Sequence, residues 1–229
     1  MSGRLNCADC PVANQAACSA LSTDDRTELA RMGRHRVLRA GETLFAAGDD
    51  SLTCATLISG SLKIASFDAD GEERIVSLVH PAGFVGELFA PMAHHDIVAL
   101  TQSELCVFPR ADYEAAINRF PALAGALLRR TANDLAETRA LIDLMGRRSA
   151  KARVAGLIVA LARAASHSPC HAAQRFDLPI SRAEMAGLLG LTIETVSRQI
   201  GQLEKEGLVS RVGRRGLVVE KPAALAALV

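Results

Sequence analysis

Three cysteines near the start of the chain have a spacing suited to a metal centre. Cys7, Cys10 and Cys18 form the pattern C-x2-C-x7-C on a short arm with too little apolar surface to fold alone. Thiolates at such spacings bind zinc, and sets of four also hold iron–sulfur clusters. Three thiolates cannot complete a four-iron cubane, so a fourth would have to come from the body of the chain. The spacing alone leaves open a zinc site, an iron–sulfur cluster and a reduced, unligated arm.

A second group of polar residues could recognise nucleic acid. Glu194, Ser197 and Arg198 occupy positions i, i+3 and i+4 of a predicted helix that begins after Thr192, so their side chains share one face. In a major groove, Glu accepts from cytosine N4, Arg donates twice to guanine, and Ser is adaptable. Such triplets are also common on solvated helix faces. The neighbouring elements must decide between the two interpretations.

The residues before and within this helix predict two short helices joined by a tight turn. Ser181 and Glu184 form a capping box at the start of the first helix. Gly190 suits the turn, and Thr192 can cap the second helix and is also a candidate DNA contact. Apolar residues at helical spacing give each helix a face to bury: Met185, Leu188, Leu189, Val196, Ile200 and Leu203. The pattern is that of a helix-turn-helix.

A β-hairpin is predicted directly after the second helix. The run 208–219 places strand-forming residues on both sides of a Gly-Arg-Arg-Gly tip. In a winged helix-turn-helix this hairpin would lie against DNA, and Arg211, Arg214 and Arg215 are its candidate phosphate contacts. The hairpin therefore favours base recognition by Glu194, Ser197 and Arg198 over a solvated face.

The run Leu189-Gly-Leu-Thr-Ile-Glu-Thr-Val-Ser-Arg closely resembles the recognition segment of the CRP/FNR transcription regulators. In that family, Glu-x-x-Ser-Arg is the signature of the FNR-type branch. The cyclic-AMP branch usually has Arg where this chain has Ile193 and Gly where it has Ser197. The resemblance extends over nearly the whole chain. It implies a homodimer on a palindromic operator with TTGAT-like half-sites, and a contact with RNA polymerase.

Composition and charge agree with a DNA-binding protein. The net charge is +1, but residues 147–229 carry +7 and residues 1–146 carry −6. A basic C-terminal third indicates a localised site for a polyanion. No apolar run reaches the ~18 residues of a membrane span, and residues 1–23 lack the apolar centre of a signal peptide. We therefore predict a cytoplasmic protein with reduced cysteines. The chain lacks a nucleophile–base set, a Walker loop and a dinucleotide fingerprint, so it is not expected to be an enzyme.

Short β runs separated by turn residues occupy residues 35–109 and predict an all-β sandwich or barrel. The resemblance makes this a cyclic-nucleotide-binding-like jelly roll, in which Phe84-Val-Gly-Glu-Leu88 matches the pocket motif. No Lys or Arg lies between Arg74 and Arg110, so a nucleotide phosphate would lack a side-chain cation there. Cyclic AMP is therefore not expected to bind. His94 and His95 are adjacent in this region, and solvated side chains are the favoured interpretation.

The predicted fold is α+β, with four segments. Residues 1–22 form the cysteine arm, 23–120 the sensor barrel, 121–147 a long helix, and 148–229 the winged helix-turn-helix domain. The long helix has apolar residues left over after packing on the barrel, and such surface commonly finds a partner. The resemblance makes it the dimerisation helix, with Leu127, Leu135 and Ile142 in the seam.

The resemblance also supplies the fourth cysteine. FNR-type regulators carry their last cluster ligand at the place of Cys106, so Cys7, Cys10, Cys18 and Cys106 are implied to hold a [4Fe-4S] cluster that senses oxygen or redox state. The seven-residue gap before Cys18 is longer than the five-residue gap of the enteric pattern. Cys54 is expected in the core and Cys170 in a loop. The alternative is a regulator gated by nitric oxide, haem or a small molecule, with the cysteines binding zinc or unligated.

Overall fold

The computed structural model describes residue 7 and residues 9–166 and 171–229, so Cys170 lies outside the described residues. The chain divides into two compact units, Met1–Ala136 and Glu137–Val229. Within the described part of the chain, no helix is both long and apolar enough to cross a membrane.

The first unit is built around two four-stranded antiparallel sheets, with strand orders β1-β8-β3-β6 and β2-β7-β4-β5. The strands are β1 (Arg34–Leu38), β2 (Thr43–Phe45), β3 (Thr53–Ser59), β4 (Leu62–Phe67), β5 (Glu73–Val79), β6 (Phe84–Val85), β7 (Asp96–Ala99) and β8 (Ser103–Pro109). One buried cluster, which includes Leu38, Leu57, Leu62, Leu105 and Val107, draws its residues from both sheets. The predicted β sandwich is therefore present, and it holds Cys106 in a central strand of the first sheet.

Helices close the first unit on the side of the arm. A 3-10 turn (Ala17–Ala20) leads into α1 (Thr23–Met32), and β8 is followed by α2 (Arg110–Arg119) and α3 (Pro121–Met145). Ser22 caps α1 by accepting the Asp25 N–H at 3.2 Å. A second buried cluster joins arm residues to these helices and contains Ala17, Leu21, Leu29, Tyr113 and Leu123.

The second unit contains the predicted helix-turn-helix and its wing. It consists of α4 (Ala150–Ala164), β9 (Arg175–Asp177), α5 (Arg182–Leu189), α6 (Ile193–Lys205), β10 (Val209–Val212), β11 (Gly216–Val219) and α7 (Pro222–Ala226). Both halves of the capping box at Ser181 and Glu184 are formed. Gly190 ends α5 in the left-handed conformation, with φ 61°, and Thr192 caps α6. The α+β fold class is confirmed.

Two elements of the second unit were not predicted. β9 is three residues long with a single buried side chain, Phe176, and it becomes a strand by pairing with β11. α7 begins at Pro222 and buries Leu225. Both are too short to show a period in the sequence, so tertiary pairing defines them.

Helix α3 has an exposed apolar stripe with heptad spacing. Leu128, Leu135 and Ile142 are 72%, 49% and 64% exposed and recur every seven residues. Leu127, predicted in the dimer seam, is instead half-buried against the cluster around Tyr113, because that side of α3 faces the barrel. The exposed stripe therefore contains Leu128 and not Leu127.

Gly86, in the predicted pocket motif, provides a test of the packing of the first sheet. It has φ 104°, and an added Cβ would lie 2.8 Å from the Cys54 Cα. We expect Gly86→Ala to cost roughly 2–5 kcal/mol of unfolding free energy, from strained φ and overpacking together. Gly48→Ala is the matched control: its φ is 88° and nothing lies within 4 Å of the new Cβ, so about 1–2 kcal/mol is expected. Urea unfolding measures both, and equal losses would contradict the described packing.

Candidate nucleic-acid interface and thiol pocket

Helix α6 presents one polar face because its other face is buried. Val196, Ile200 and Leu203 pack into the interior of the second unit. Glu194 and Arg198 are exposed on the opposite side, and Ser197 is half-buried between them. The structure therefore places the three predicted base-contacting residues together on an accessible helical face.

The start of α6 fixes the charge and position of Glu194. Its pKa is lowered by its own backbone amide and by the Thr192 hydroxyl, so the carboxylate is an ionised acceptor at neutral pH. Thr192 accepts the Thr195 N–H at 3.2 Å, which assigns this predicted contact residue to helix capping in the described state. Arg198 donates to the Thr195 hydroxyl at 3.4 Å. Such an arrangement can offer both an acceptor and a forked donor to base edges.

The wing carries its cations beside the two helices. Arg214 and Arg215 are exposed at the tip between β10 and β11, and neither forms an ion pair within the described residues. Arg211 differs, because its Nε is bonded to Glu204 on α6. A concave surface of about 540 Å³ lies between wing and helices and includes Arg182 among its lining residues, with all three wing arginines. Guanidinium groups gathered in this way suit phosphate oxygens.

The four predicted ligand cysteines line one pocket of the first unit. This thiol pocket is formed by Cys7, Cys10, Cys18 and Cys106, with walls that include Val12, Leu29, Phe108, Tyr113 and Arg26. Cys106 comes from β8, opposite His35 on β1 and Thr56 on β3. Cys54 is fully buried in the core and does not line the pocket. The fold thus brings the arm cysteines and Cys106 to one pocket, whereas Cys54 shares a buried cluster with Cys18 and Cys106 without lining that pocket.

The electrostatics of the thiol pocket depend on burial and on the thiols themselves. Burial, together with the nearby Cys10, Cys7 and Cys18, raises the pKa of Cys106 to about 12. Burial also raises the pKa of Cys7 and Cys18, whereas the Arg26 guanidinium opposes the rise at both. Cys7, Cys18 and Cys106 are therefore protonated at neutral pH unless a cationic centre binds them.

Arg26 is a functional candidate that the sequence did not reveal. Its Nη2 donates to the Ser19 and Leu21 carbonyls at 3.4 and 3.5 Å, while its buried Nε has no hydrogen-bond partner among the residues that the structure describes. Four thiols, apolar walls and a buried donor fit an anionic sulfur-ligated cluster in their chemistry. Among the described residues, no three His, Cys, Asp or Glu side chains are gathered closely enough to hold one metal ion. A tetrahedral zinc site would require its sulfurs within about 4 Å of one another.

Glu87, in the segment that matches the nucleotide-pocket motif, contacts the two histidines of a following loop. Glu87 accepts the His94 N–H at 2.8 Å, its other oxygen contacts the His94 ring, and His95 lies 4.0 Å away. The buried Lys63 is paired with Glu73 at 2.7 Å. The stretch 75–109 contributes no Lys or Arg to this region. A nucleotide would have to displace the contacts of Glu87 and bury its phosphate charge without a cation from this stretch.

Comparison with known proteins identifies the domain family of each unit. A Crp-like helix-turn-helix domain model matches residues 152–228, and a cyclic nucleotide-binding domain model matches residues 35–120. The chain is 32% identical to the transcriptional activator protein FnrL of Cereibacter sphaeroides, over 93% of this chain and 87% of the relative. It is 27% identical to the fumarate and nitrate reduction regulatory protein of Salmonella typhimurium, over 98% and 90%. The fold resembles FixK2 from Bradyrhizobium japonicum, with a TM-score of 0.77, 24% identity and coverage of 86% and 96%.

Cyclic AMP is predicted not to bind the barrel, in which Glu87 is already bonded to His94. Isothermal titration of the purified protein is expected to show no saturable binding at micromolar nucleotide, because the stretch 75–109 offers the buried phosphate no cation. Operator affinity should likewise not change when cyclic AMP is added. A cyclic-AMP-dependent regulator titrated in parallel is the positive control. Micromolar binding accompanied by tighter operator binding would contradict the prediction.

Proposed function

Since the chain belongs to the CRP/FNR family of transcription regulators, in its FNR-type branch, we propose that it activates transcription as a homodimer bound to a palindromic operator, and that it responds to oxygen or redox state through a [4Fe-4S] cluster. The single observation that supports this most strongly is the pocket that joins three arm cysteines to Cys106. Activation, rather than repression, is supported by the name of the relative in Cereibacter sphaeroides. RNA polymerase is the expected protein partner.

The proposed operator contacts follow from the two parts of the second unit. Glu194, Ser197 and Arg198 contact base edges, and the wing arginines contact phosphates. A two-fold dimer requires two half-sites about one helical turn apart. The family resemblance makes these half-sites TTGAT-like.

Base and phosphate contacts are expected to respond differently to substitution. Arg198→Ala should cost roughly 1–3 kcal/mol on a TTGAT palindrome and relax discrimination at one base pair, because a forked donor to guanine is lost. Arg215→Ala should weaken binding to specific and random duplexes alike and reduce the salt slope by about 0.9. Fluorescence anisotropy at several salt concentrations measures both effects. An unchanged specific-to-random ratio in Arg198→Ala would contradict the assignment.

The proposed dimer uses the exposed stripe of α3. Its apolar residues recur at the heptad spacing of a two-stranded helical seam, and a palindrome requires two recognition helices. The seam consists of Leu128, Leu135 and Ile142, with Met145, which is 42% exposed, three residues after Ile142.

A charge within this stripe should separate the protomers. Ile142→Glu places a carboxylate at each side of the two-fold seam and is expected to weaken dimerisation roughly 30-fold or more. Ala140→Glu is the matched control, since Ala140 is exposed but lies away from the stripe on α3. Sedimentation velocity over a concentration series measures both. An Ile142→Glu protein that remains dimeric and bound to the operator would place the interface elsewhere.

The proposed sensor is the thiol pocket. Cys7, Cys10 and Cys18 would hold the cluster from the arm and Cys106 from β8. When bound, a [4Fe-4S] cluster supplies an oxygen-sensitive link among four thiolates. Val12, Leu29, Phe108 and Tyr113 exclude water around the sulfurs, and Arg26 supplies a positive charge and a buried donor. Loss of the link would leave the arm attached by its small apolar contacts alone. The population of the DNA-competent dimer would then fall.

Cysteine variants distinguish this proposal from zinc or an unligated arm. Individual Ser substitutions at Cys7, Cys10, Cys18 and Cys106 should each abolish iron and sulfide binding and anaerobic operator binding, because each removes one of four ligands. Cys54→Ala should retain both, since Cys54 lies outside the pocket. About four iron and four sulfide per monomer are expected after anaerobic reconstitution. Stoichiometric zinc without sulfide, or full iron loading of Cys106→Ser, would contradict the proposal.

A further inference from the structure

Arg182 joins the two helices of the helix-turn-helix at the base-contacting face. It is the first residue of α5, directly after the Ser181 cap, and its Nη1 donates to the Ser197 hydroxyl oxygen on α6 at 3.0 Å. Both side chains are half-buried. This side-chain bond therefore links the first residue of α5 to the proposed base-contacting face of α6.

The chemistry of this pair restricts what Ser197 can do. A guanidinium carries only donors, so the serine oxygen must accept in this bond. A hydroxyl has one hydrogen and two lone pairs, so its hydrogen remains available. In the part of the chain that the structure describes, no acceptor is bonded to the Ser197 hydroxyl. The bond leaves the hydroxyl hydrogen and one lone pair, and the adjacent guanidinium charge disfavours a second donor at that lone pair, so Ser197 is biased toward donating to a ligand.

We propose that Arg182 is a positioning residue that fixes Ser197 as a hydrogen-bond donor toward DNA and thereby determines the class of base it accepts. The inference rests on the proposed operator binding and deepens it. A donor at this position matches the N7 or O6 of guanine, the N7 of adenine or the O4 of thymine, and it suits the N4 amino group of cytosine less well. Glu194 has the complementary preference, because its ionised carboxylate only accepts.

A phosphate contact is the competing role for Arg182, because it lines the same concave surface as Arg211, Arg214 and Arg215. The two roles predict different measurements. A positioning residue changes discrimination at the base pair read by Ser197 and leaves random DNA binding nearly unchanged. A phosphate contact weakens binding to every sequence and lowers the salt slope by about 0.9.

The test uses Arg182→Met, Ser197→Ala and the double variant of the full-length protein. The probes are a palindrome with two TTGAT half-sites, a random duplex, and palindromes in which each half-site position is changed in turn to cytosine or to guanine, so that each strand presents cytosine. We expect one position at which the wild-type penalty for cytosine falls roughly 3- to 10-fold in Arg182→Met, the value of one hydrogen bond. Ser197→Ala should reduce the same penalty, and the double variant should match Ser197→Ala within about twofold, because both changes remove one interaction.

Two controls distinguish a loss of Ser197 positioning from a loss of stability and from a loss of positive charge. Arg214→Met removes an equal charge from the wing and should weaken all duplexes alike. The unfolding midpoint of Arg182→Met should match the wild type; if it does not, Arg182→Leu, which also lacks a hydrogen-bond donor, replaces it in the same series.

Failure of the positioning role and failure of the proposed operator binding give different results. Two results would overturn the positioning role while leaving the proposed function intact. One is an unchanged cytosine penalty in Arg182→Met. The other is a fold-change in the double variant that equals the product of the two single-variant fold-changes. A uniform loss with a lower salt slope would make Arg182 a phosphate contact. A wild-type protein that does not distinguish the palindrome from random DNA would overturn the proposed operator and this inference together.

Discussion

The attachment of the cysteine arm to the barrel is the contact on which the regulatory account depends. The arm buries small side chains, chiefly Val12, Ala16, Ala17 and Leu21. Ordering its backbone costs about 1–2 kcal/mol per residue, whereas each buried alanine methyl returns less than one. Apolar burial alone therefore holds the arm weakly. A shared centre at the four thiols would supply the missing attachment, which makes the position of the arm conditional on the state of that centre.

The buried cluster that holds the arm also includes a residue of α3, the helix proposed to bring two protomers together. Ala17 and Leu21 share a buried cluster with Tyr113 on α2 and Leu123 on α3. Leu123 lies near the start of the helix whose later turns expose Leu128, Leu135 and Ile142. A change in arm packing can therefore alter the support of α3 through direct contacts within the first unit. The proposed signal requires only two populations of this helix, one of which dimerises better on DNA.

Local patterns in the sequence predicted much of the structure, whereas long-range contacts did not follow from them. The capping box at Ser181, the cap at Thr192 and the turn at Gly190 each depend on residues within a few positions, and all three are present. The approach of Cys106 to the arm depends on the closure of the sandwich, and a family resemblance, rather than spacing, indicated it. The Arg182–Ser197 bond, the orphan donor of Arg26 and strand β9 depend on tertiary packing and carry no local signal. Leu127 and Leu128 both fit a helical apolar pattern, and only the position of the barrel decides which one is buried.

The state of the four-thiol centre is proposed to set the affinity of α6 and the wing for DNA. The most direct measurement is the operator affinity of one anaerobically reconstituted sample before exposure to air, after exposure, and after renewed anaerobic loading with iron and sulfide. Fluorescence anisotropy on a TTGAT palindrome should show a loss of roughly tenfold or more on exposure, equivalent to about 1.4 kcal/mol of coupling, and recovery on reloading. Equal affinity in all three states would contradict the account.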